Sequence, residues 1–174
     1  EFHELLVRWF EYGCFCPVMR LHGYRWPLQP QYGTTGGATC VSGAPNEVWS
    51  YTDQVCEILS DYLRLRERML PYITELMEEA HEKGTPVMRP LFYDFPEDKE
   101  SWNVETEYMF GPKVLVKPIT DADARETDVY LPGGASWTNA WTGETFEGGQ
   151  KVHVAAPIEQ IPLFTRDGYK LPMK

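Results

Sequence analysis

Residues 7–23 read VRWFEYGCFCPVMRLHG, and the pattern of apolar residues changes partway along this stretch. Over residues 1–12 apolar side chains recur at helical spacing: Phe2, Leu5, Leu6, Trp9 and Phe10. This spacing predicts one buried stripe on an amphipathic helix that Gly13 ends. From Cys14 to Leu21 the apolar residues are continuous, which predicts a short buried strand. A helix followed by a buried strand is typical of parallel α/β structure.

After this strand the composition shifts to Pro, Gly, Thr and aromatic residues, so residues 23–46 predict a long loop. A helical pattern then covers residues 48–83, and Gly84 supplies its C-terminal stop. Pro71 lies inside that pattern, where it lacks a backbone donor, and predicts a kink or a break. Three arginines of this helix, Arg64, Arg66 and Arg68, are interpreted as a solvated or salt-bridged face.

Beyond Gly84 the chain consists of short apolar runs separated by turns, as in EYMFGPKVLVKPI, TDVYLP, SWTNAWTG and KVHVAAP. Such runs predict an antiparallel β-sandwich. Alternation in residues 128–131 and 151–154 indicates one wet and one dry face. The predicted fold class is therefore α/β plus all-β, with one domain over residues 1–84 and a sandwich over residues 85–174.

The formal net charge of −10 leaves no basic stripe for a phosphate backbone and opposes contact with an anionic membrane surface. Nucleic acid and membrane partners are therefore not expected. No run approaches 18 apolar residues, the minimum for a membrane-spanning helix. Glu1 opens directly into a helical pattern, which favours a chain taken from a longer protein.

The four cysteines, Cys14, Cys16, Cys40 and Cys56, lack the paired spacing of a structural zinc site. Cys14 and Cys16 are interpreted as small hydrophobic core residues on one face of the predicted strand. A bridge between Cys40 and Cys56 requires an oxidising compartment, which the sequence does not specify. Neither a metal nor another cofactor is expected.

Polar and aromatic side chains gather where the predicted strand ends: Arg20, His22, Tyr24, Arg25 and Trp26. In parallel α/β folds, functional sites lie at the C-terminal ends of the strands. His22 has two interpretations on spacing alone, a site residue or a loop histidine that a neighbour satisfies. The chain contains no nucleophile elbow, zinc-binding helix motif, phosphate-binding loop or dinucleotide fingerprint.

Seven segments in order along the chain resemble family 31 glycoside hydrolases: VRWFEYGCFCPVMRLHG, PNEVWSY, LRLRERMLPYI, GTPVMRPLFYDFPED, EYMFGPKVLVKPI, VYLPGGASWTNAWTGETFEGGQ and IPLFTRDG. Agreement in order over nearly the whole chain is more specific than any one segment. Members of this family hydrolyse α-glucosides or α-xylosides. The resemblance implies the C-terminal end of a (β/α)8 barrel, with its last strand and helices, followed by the sandwich.

The resemblance also assigns roles to residues near the predicted strand. It implies that Arg8 and Trp9 lie on the last-but-one barrel helix, that residues 15–21 form the eighth strand and that the helix from Val48 is the final one. His22 matches the histidine that hydrogen-bonds hydroxyls of the terminal sugar. Arg20, Tyr24 and Trp26 complete the expected substrate-binding set, although Tyr24 and Trp26 equally suit loop packing.

The family's reaction requires two carboxylates about 5 to 5.5 Å apart, one as nucleophile and one as acid and base. The resemblance implies that both are aspartates on earlier barrel strands. Asp53, Asp61 and Asp94 do not match their motifs, so no catalytic residue is expected here. The expected partners are an oligosaccharide or glycoside substrate and the remainder of the chain's own catalytic barrel.

Two alternatives stay open for the C-terminal half. Three aromatic residues, Tyr130, Trp137 and Trp141, suggest a non-catalytic carbohydrate-binding module, because aromatic faces stack on sugars. Aromatic residues at strand spacing are also typical of core packing, and this interpretation leaves the first 84 residues unexplained. The second alternative is a structural sandwich that supports the barrel.

Overall fold

The computed structural model describes residues 2–21 and 25–173, and within them helices form the N-terminal half and strands the C-terminal half. The helices are α1 (Phe2–Cys14), α2 (Asp53–Arg68), α3 (Leu70–Lys83) and the short α4 (Leu91–Asp94). The strands are β1 (Met88–Arg89), β2 (Tyr108–Phe110), β3 (Val114–Val116), β4 (Glu126–Leu131), β5 (Ser136–Asn139), β6 (Thr145–Glu147), β7 (Gln150–Ala155) and β8 (Leu163–Arg166). Three 3₁₀ turns cover Gly36–Thr39, Val48–Ser50 and Lys99–Trp102. None of the helices in these described ranges combines the length and apolar composition needed to cross a membrane.

The helical pattern over residues 48–83 forms two helices instead of one. Thr52 precedes α2, and its hydroxyl accepts a hydrogen bond from the backbone N–H of Val55, so the helix begins at Asp53. Pro71 lies in the first turn of α3, where its missing N–H has no cost, and the predicted break is confirmed. Gly84 ends α3 in the left-handed conformation, with φ +70°, as predicted.

The predicted buried strand at residues 14–21 is wrong. Cys14 is the last residue of α1, residues 15–21 contain neither helix nor strand, and Val18 is 75% exposed. An isolated extended segment needs a neighbouring strand for its backbone donors and acceptors, and none of the described strands pairs with it. Pro17 also removes one donor from the run.

The C-terminal half forms antiparallel sheets, as predicted. A six-stranded sheet has the order β1-β2-β3-β8-β5-β6, and β4 pairs with β7 in a second sheet. The central pairs align Leu115 with Met109 of β2 and with Phe164 of β8. Strand β7 alternates exposed and partly buried residues, whereas β4 is buried throughout its last three residues.

Both faces of the six-stranded sheet are covered. On one face, Phe110, Val114, Val116 and Leu163 belong to a core that also contains buried residues of α1, α2 and α3. On the opposite face, Met109, Leu115, Trp137 and Phe164 form a second core with Val129 and Leu131 of the small sheet. The helices, the large sheet and the small sheet are therefore three successive layers, and the helical region and the strands share one core.

The buried stripe of α1 differs from the predicted one. Phe10 is buried as expected, together with Val7 and Cys14, but Phe2, Leu5 and Trp9 are exposed. Val7, Phe10 and Cys14 belong to the core that α1 shares with α2, and Phe2 lies beside the Tyr51 ring with centroids 6.3 Å apart. Leu5 and Trp9 stay more than half exposed and form an apolar surface on this helix.

Candidate functional site

Two of the four predicted substrate-binding residues, His22 and Tyr24, lie outside the described residues. The other two, Arg20 and Trp26, are exposed, and 75% of the Trp26 surface is open to solvent. Among the described residues no hydrogen bond joins Arg20 to Trp26. Both lie between α1 and α2, on either side of the histidine position.

The loop that follows is closed at its base by Arg25. Its guanidinium donates to the carbonyl of Pro45 and lies over the Tyr51 ring, 4.9 Å from the ring centroid. The Arg25 carbonyl accepts a 2.7 Å bond from the Ala44 N–H. An antiparallel bridge between Gln29 and Ser42 continues the closure. Arg25 therefore holds the two ends of this loop together.

The three arginines of α2 have three different environments. Arg64 forms an exposed ion pair with Asp61, as predicted, at 2.8 Å. Arg68 donates to the carbonyls of Pro172 and Met173 near the C-terminus. Arg66 donates to three carbonyls in residues 14–17, immediately before the candidate binding residues. The predicted solvated or salt-bridged face does not describe Arg66, which is only partly exposed and donates to backbone carbonyls.

The carboxylate of Glu11 lies in a closed network between the helices and the strands. Arg8 donates to it at 3.0 Å, and the Tyr62 hydroxyl donates to its other oxygen at 3.0 Å. Arg8 also donates to backbone carbonyls of Ala124 and Ala156. Burial raises the pKa of Glu11 to about 7, against the opposing effect of Arg8. Since both oxygens are engaged and the side chain is buried, this carboxylate joins α1 to α2, and Arg8 extends the network to the backbone beside the small sheet.

Two further carboxylates are occupied by structural contacts. Both oxygens of Glu107 accept from the backbone N–H of Tyr130, at 3.0 and 3.2 Å, and Lys117 lies 3.6 Å away. Burial raises the pKa of Glu107 to about 7. Asp94 ends α4 and accepts a 3.1 Å bond from the buried guanidinium of Arg89. These contacts give both carboxylates a role in holding the sandwich together.

The aromatic residues that suggested a carbohydrate-binding face do not form one. Trp137 is fully buried between the sheets, and its indole N–H donates to the Pro132 carbonyl at 2.9 Å. Tyr130 is buried, and its hydroxyl donates to Asp98. Trp141 is half-buried and donates to the Ile161 carbonyl at 2.7 Å. The alternation of the strands explains this outcome, since these side chains point into cores or against other elements.

The cysteines are reduced, and the acidic residues that the structure describes show no metal-binding arrangement. Cys14, Cys16, Cys40 and Cys56 are free thiols. In residues 2–21 and 25–173 no group of three or more His, Cys, Asp or Glu side chains is placed to hold an ion. Cys14 is buried at the end of α1 beside the Tyr62 carbonyl, so it packs as a core residue on a helix instead of a strand.

Comparison with known proteins identifies both halves of the chain. Residues 1–76 match the TIM-barrel domain of glycosyl hydrolases family 31, and residues 84–171 match the C-terminal domain of the same family. The chain belongs to glycoside hydrolase family 31. The resemblance seen in the sequence is thereby confirmed, including the class of enzyme to which the relatives belong.

The relatives of this family 31 chain include enzymes named as α-xylosidases and enzymes named as α-glucosidases. It is 36% identical over 170 residues to an α-xylosidase of Saccharolobus solfataricus, covering 98% of the chain and 21% of that protein. It is 36% identical over 166 residues to α-glucosidase 2 of Bacillus thermoamyloliquefaciens, covering 95% of the chain and 19% of that protein. The chain therefore spans about a fifth of the length of these relatives.

A solved structure agrees in fold as well as in sequence. The family 31 α-xylosidase from a soil metagenome, solved in complex with xylose, superposes with a TM-score of 0.91 and 46% identity. The alignment covers 98% of this chain and 25% of the solved one. The helices and antiparallel sheets are thus arranged as in that glycosidase, although the described residues do not close a barrel.

Proposed function

We propose that this chain is the C-terminal part of a retaining α-glycosidase that releases terminal α-linked xylose or glucose from oligosaccharides. The observation that carries the proposal is the match of two successive domains of one glycosidase family, in order, to one chain. The chain contributes the end of a (β/α)8 barrel and the sandwich that supports it. Its share of about a fifth of each relative leaves most of the barrel to other segments.

The role proposed for residues 20–26 is to bind the sugar. In a retaining glycosidase one carboxylate attacks the anomeric carbon while another protonates the departing oxygen, and hydrogen bonds to sugar hydroxyls strengthen as the ring flattens. His22 and Arg20 supply donors for such hydroxyls. Tyr24 and Trp26 supply aromatic surface for the sugar or for the group that it leaves. The exposed position of Trp26 on the surface of this chain is compatible with that role.

The catalytic carboxylates are proposed to lie in the remainder of the barrel. Glu11, Glu107 and Asp94 are each engaged by an arginine or a backbone N–H inside the fold. A carboxylate that is engaged in such internal hydrogen bonds is poorly placed to exchange a proton with a substrate. These contacts support an inactive isolated chain.

The remainder of the barrel is also the proposed partner of the exposed face of α1. Leu5 and Trp9 lie four residues apart on α1, outside the buried core of this helix, and Trp9 is 63% exposed. In a (β/α)8 barrel each outer helix packs between two neighbouring helices. A preceding barrel helix would cover this face, which accounts for its apolar residues.

An α-xyloside is the preferred substrate in this proposal, and an α-glucoside is the second candidate. The solved α-xylosidase shares 46% of its aligned residues with this chain. The Bacillus α-glucosidase is 36% identical to this chain, so an α-glucoside is the alternative substrate. The two sugars differ by one hydroxymethyl group, so activity on both aryl glycosides has to be compared.

The test of the binding role is the His22→Ala substitution in the full-length enzyme. Loss of a hydrogen bond that strengthens in the transition state lowers kcat/KM by about two to three orders of magnitude, or about 3 to 4 kcal/mol. Much of the loss is expected in kcat, with little change in the melting temperature. A lowered melting temperature with kcat/KM within about threefold of wild type would remove His22 from the binding site.

A further inference from the structure

The segment that leads from α1 to the proposed sugar-binding residues has no regular structure of its own. This connecting segment, residues 15–19, follows directly on Cys14. Its local backbone bonds run from Phe15 N–H to the Tyr12 carbonyl and from Cys16 N–H to the Gly13 carbonyl, at 3.0 and 3.1 Å. Since no strand pairing fixes it within the described residues, its path depends on side chains from other elements.

Arg66 of α2 binds three carbonyls at the start of this path. One terminal nitrogen, Nη1, donates to the carbonyls of Cys14 and Cys16 at 2.7 and 2.8 Å. The other, Nη2, donates to the Pro17 carbonyl at 3.1 Å. Carbonyls at a helix C-terminus have no intrahelical partner and carry partial negative charge, so a guanidinium satisfies them and fixes their orientation. A lysine in its place has a single nitrogen to serve the three carbonyls.

Tyr108 of β2 binds the same segment from the large sheet. Its hydroxyl donates to the Phe15 carbonyl at 2.9 Å. The Phe15 side chain is fully buried, and its ring meets Phe110 edge-on with centroids 6.2 Å apart. Tyr108 itself packs edge-on against Tyr12 of α1. The connecting segment is therefore attached both to a barrel helix and to the sandwich.

We infer that Arg66 and Tyr108 are positioning residues of the proposed glycosidase, which fix the connecting segment that leads to the proposed sugar-binding residues. The inference rests on the proposed function. Neither side chain is assigned a contact with substrate. A displacement of about 1 Å in a substrate-binding group costs up to about 100-fold in rate, so loss of these anchors affects chemistry at a distance. Since Tyr108 belongs to β2, this positioning role would link the sandwich to the binding of the sugar.

The test is the kinetics of four variants of the full-length enzyme, assayed well below their melting temperatures. Arg66→Met removes all three donated bonds at similar side-chain length, and we expect kcat/KM to fall by about 100-fold. Arg66→Lys retains one charged donor, and a smaller loss is expected. Tyr108→Phe removes a single hydroxyl, and its kcat/KM should fall by less than that of Arg66→Met. In all three, kcat is expected to fall more than KM rises. Arg64→Met is the matched control, because Arg64 is exposed and, within the described residues, its ion-pair partner is Asp61.

A second control separates stability from positioning. Tyr130→Phe removes a hydroxyl that donates to Asp98 in the sandwich, so it should lower the melting temperature without lowering kcat/KM. Inactive wild-type enzyme on both α-xyloside and α-glucoside would overturn the proposed function and this inference with it. Active wild type, with Arg66→Met and Tyr108→Phe within about threefold of it, would overturn the inference alone. If Arg66→Met does not fold, Arg66→Lys and Tyr108→Phe decide the outcome.

Discussion

The buried carboxylate of Glu107 shows how one side chain satisfies a backbone donor of a strand. Within the described residues β4 pairs with one strand, β7, and the N–H of Tyr130 donates to both Glu107 oxygens. Burial raises the pKa of this carboxyl to about 7 from an ordinary value of 4.5. The folded state therefore holds a proton that the unfolded state releases between these two pH values. The resulting stabilisation is complete below pH 4.5 and is lost as the pH rises through 7.

We predict that Glu107→Gln weakens the pH dependence of stability. Glutamine keeps an acceptor for the Tyr130 N–H but cannot ionise. Between pH 4.5 and 8 the free energy of unfolding should fall by up to about 3 kcal/mol more in wild type than in the variant. Denaturant unfolding at several pH values measures this difference. Glu105→Gln, at an exposed neighbouring position, is the control and should behave as wild type. Equal slopes for wild type and Glu107→Gln would contradict the prediction.

Individual site residues were named in the sequence only through a family pattern. His22 and its neighbours came from such a pattern, and they stay predictions. Arg66 was missed because charged residues on a helix surface are usually solvated, and its carbonyl partners lie about 50 positions earlier. Those carbonyls belong to a segment that was expected to pair as a strand. An arginine opposite unpaired helix-end carbonyls cannot be recognised before the fold is known.

At the scale of elements, helix α3 is attached to the large sheet at the β2–β3 turn. The Tyr72 hydroxyl donates to the Phe110 carbonyl at 2.9 Å and accepts from the Lys113 N–H at 3.3 Å. Gly111 lies between these residues with φ +60°. A Cβ at this position would lie 2.5 Å from Leu76 Cδ2 and closer still to the Tyr72 hydroxyl. The turn therefore requires glycine both for its conformation and for close packing.

Gly111→Ala is predicted to destabilise the protein by about 2 to 5 kcal/mol, the sum of left-handed strain and overpacking. Gly134→Ala is the matched control, since Gly134 has φ +83° but no atom within 4 Å of an added Cβ. It should lose only about 1 to 2 kcal/mol, from the strain alone. Thermal or denaturant unfolding of both variants gives the comparison. Equal losses would show that the contact with α3 adds nothing.

The elements themselves were predictable where local chemistry determines them. Pro71 and Gly84 have fixed effects on a helix, and the alternating runs after Pro86 can bury a face only as antiparallel strands. The predicted strand from Cys14 to Leu21 was wrong because the structure of this segment depends on its neighbours. An apolar segment becomes a strand only beside another strand, and the described part of the chain has none there.

At the scale of the whole molecule, the helices and strands share one core. Side chains of α1, α2 and α3 pack on one face of the large sheet, and the Glu11 network joins α1 and α2 to the backbone of residues 156–161. The sandwich is therefore built against the end of the barrel region. This arrangement suits a chain that supports part of an active site whose catalytic groups lie in other segments.

The proposal that the catalytic carboxylates lie outside this 174-residue chain is tested by hydrolysis of nitrophenyl α-xyloside and α-glucoside, with the full-length protein and with the chain alone. We expect turnover by the full-length protein and none by the isolated chain, because both carboxylates of a retaining glycosidase are needed. A cooperative unfolding transition of the isolated chain would show that it is folded in this assay. Turnover by the isolated chain, or an inactive full-length protein on both substrates, would contradict the proposal.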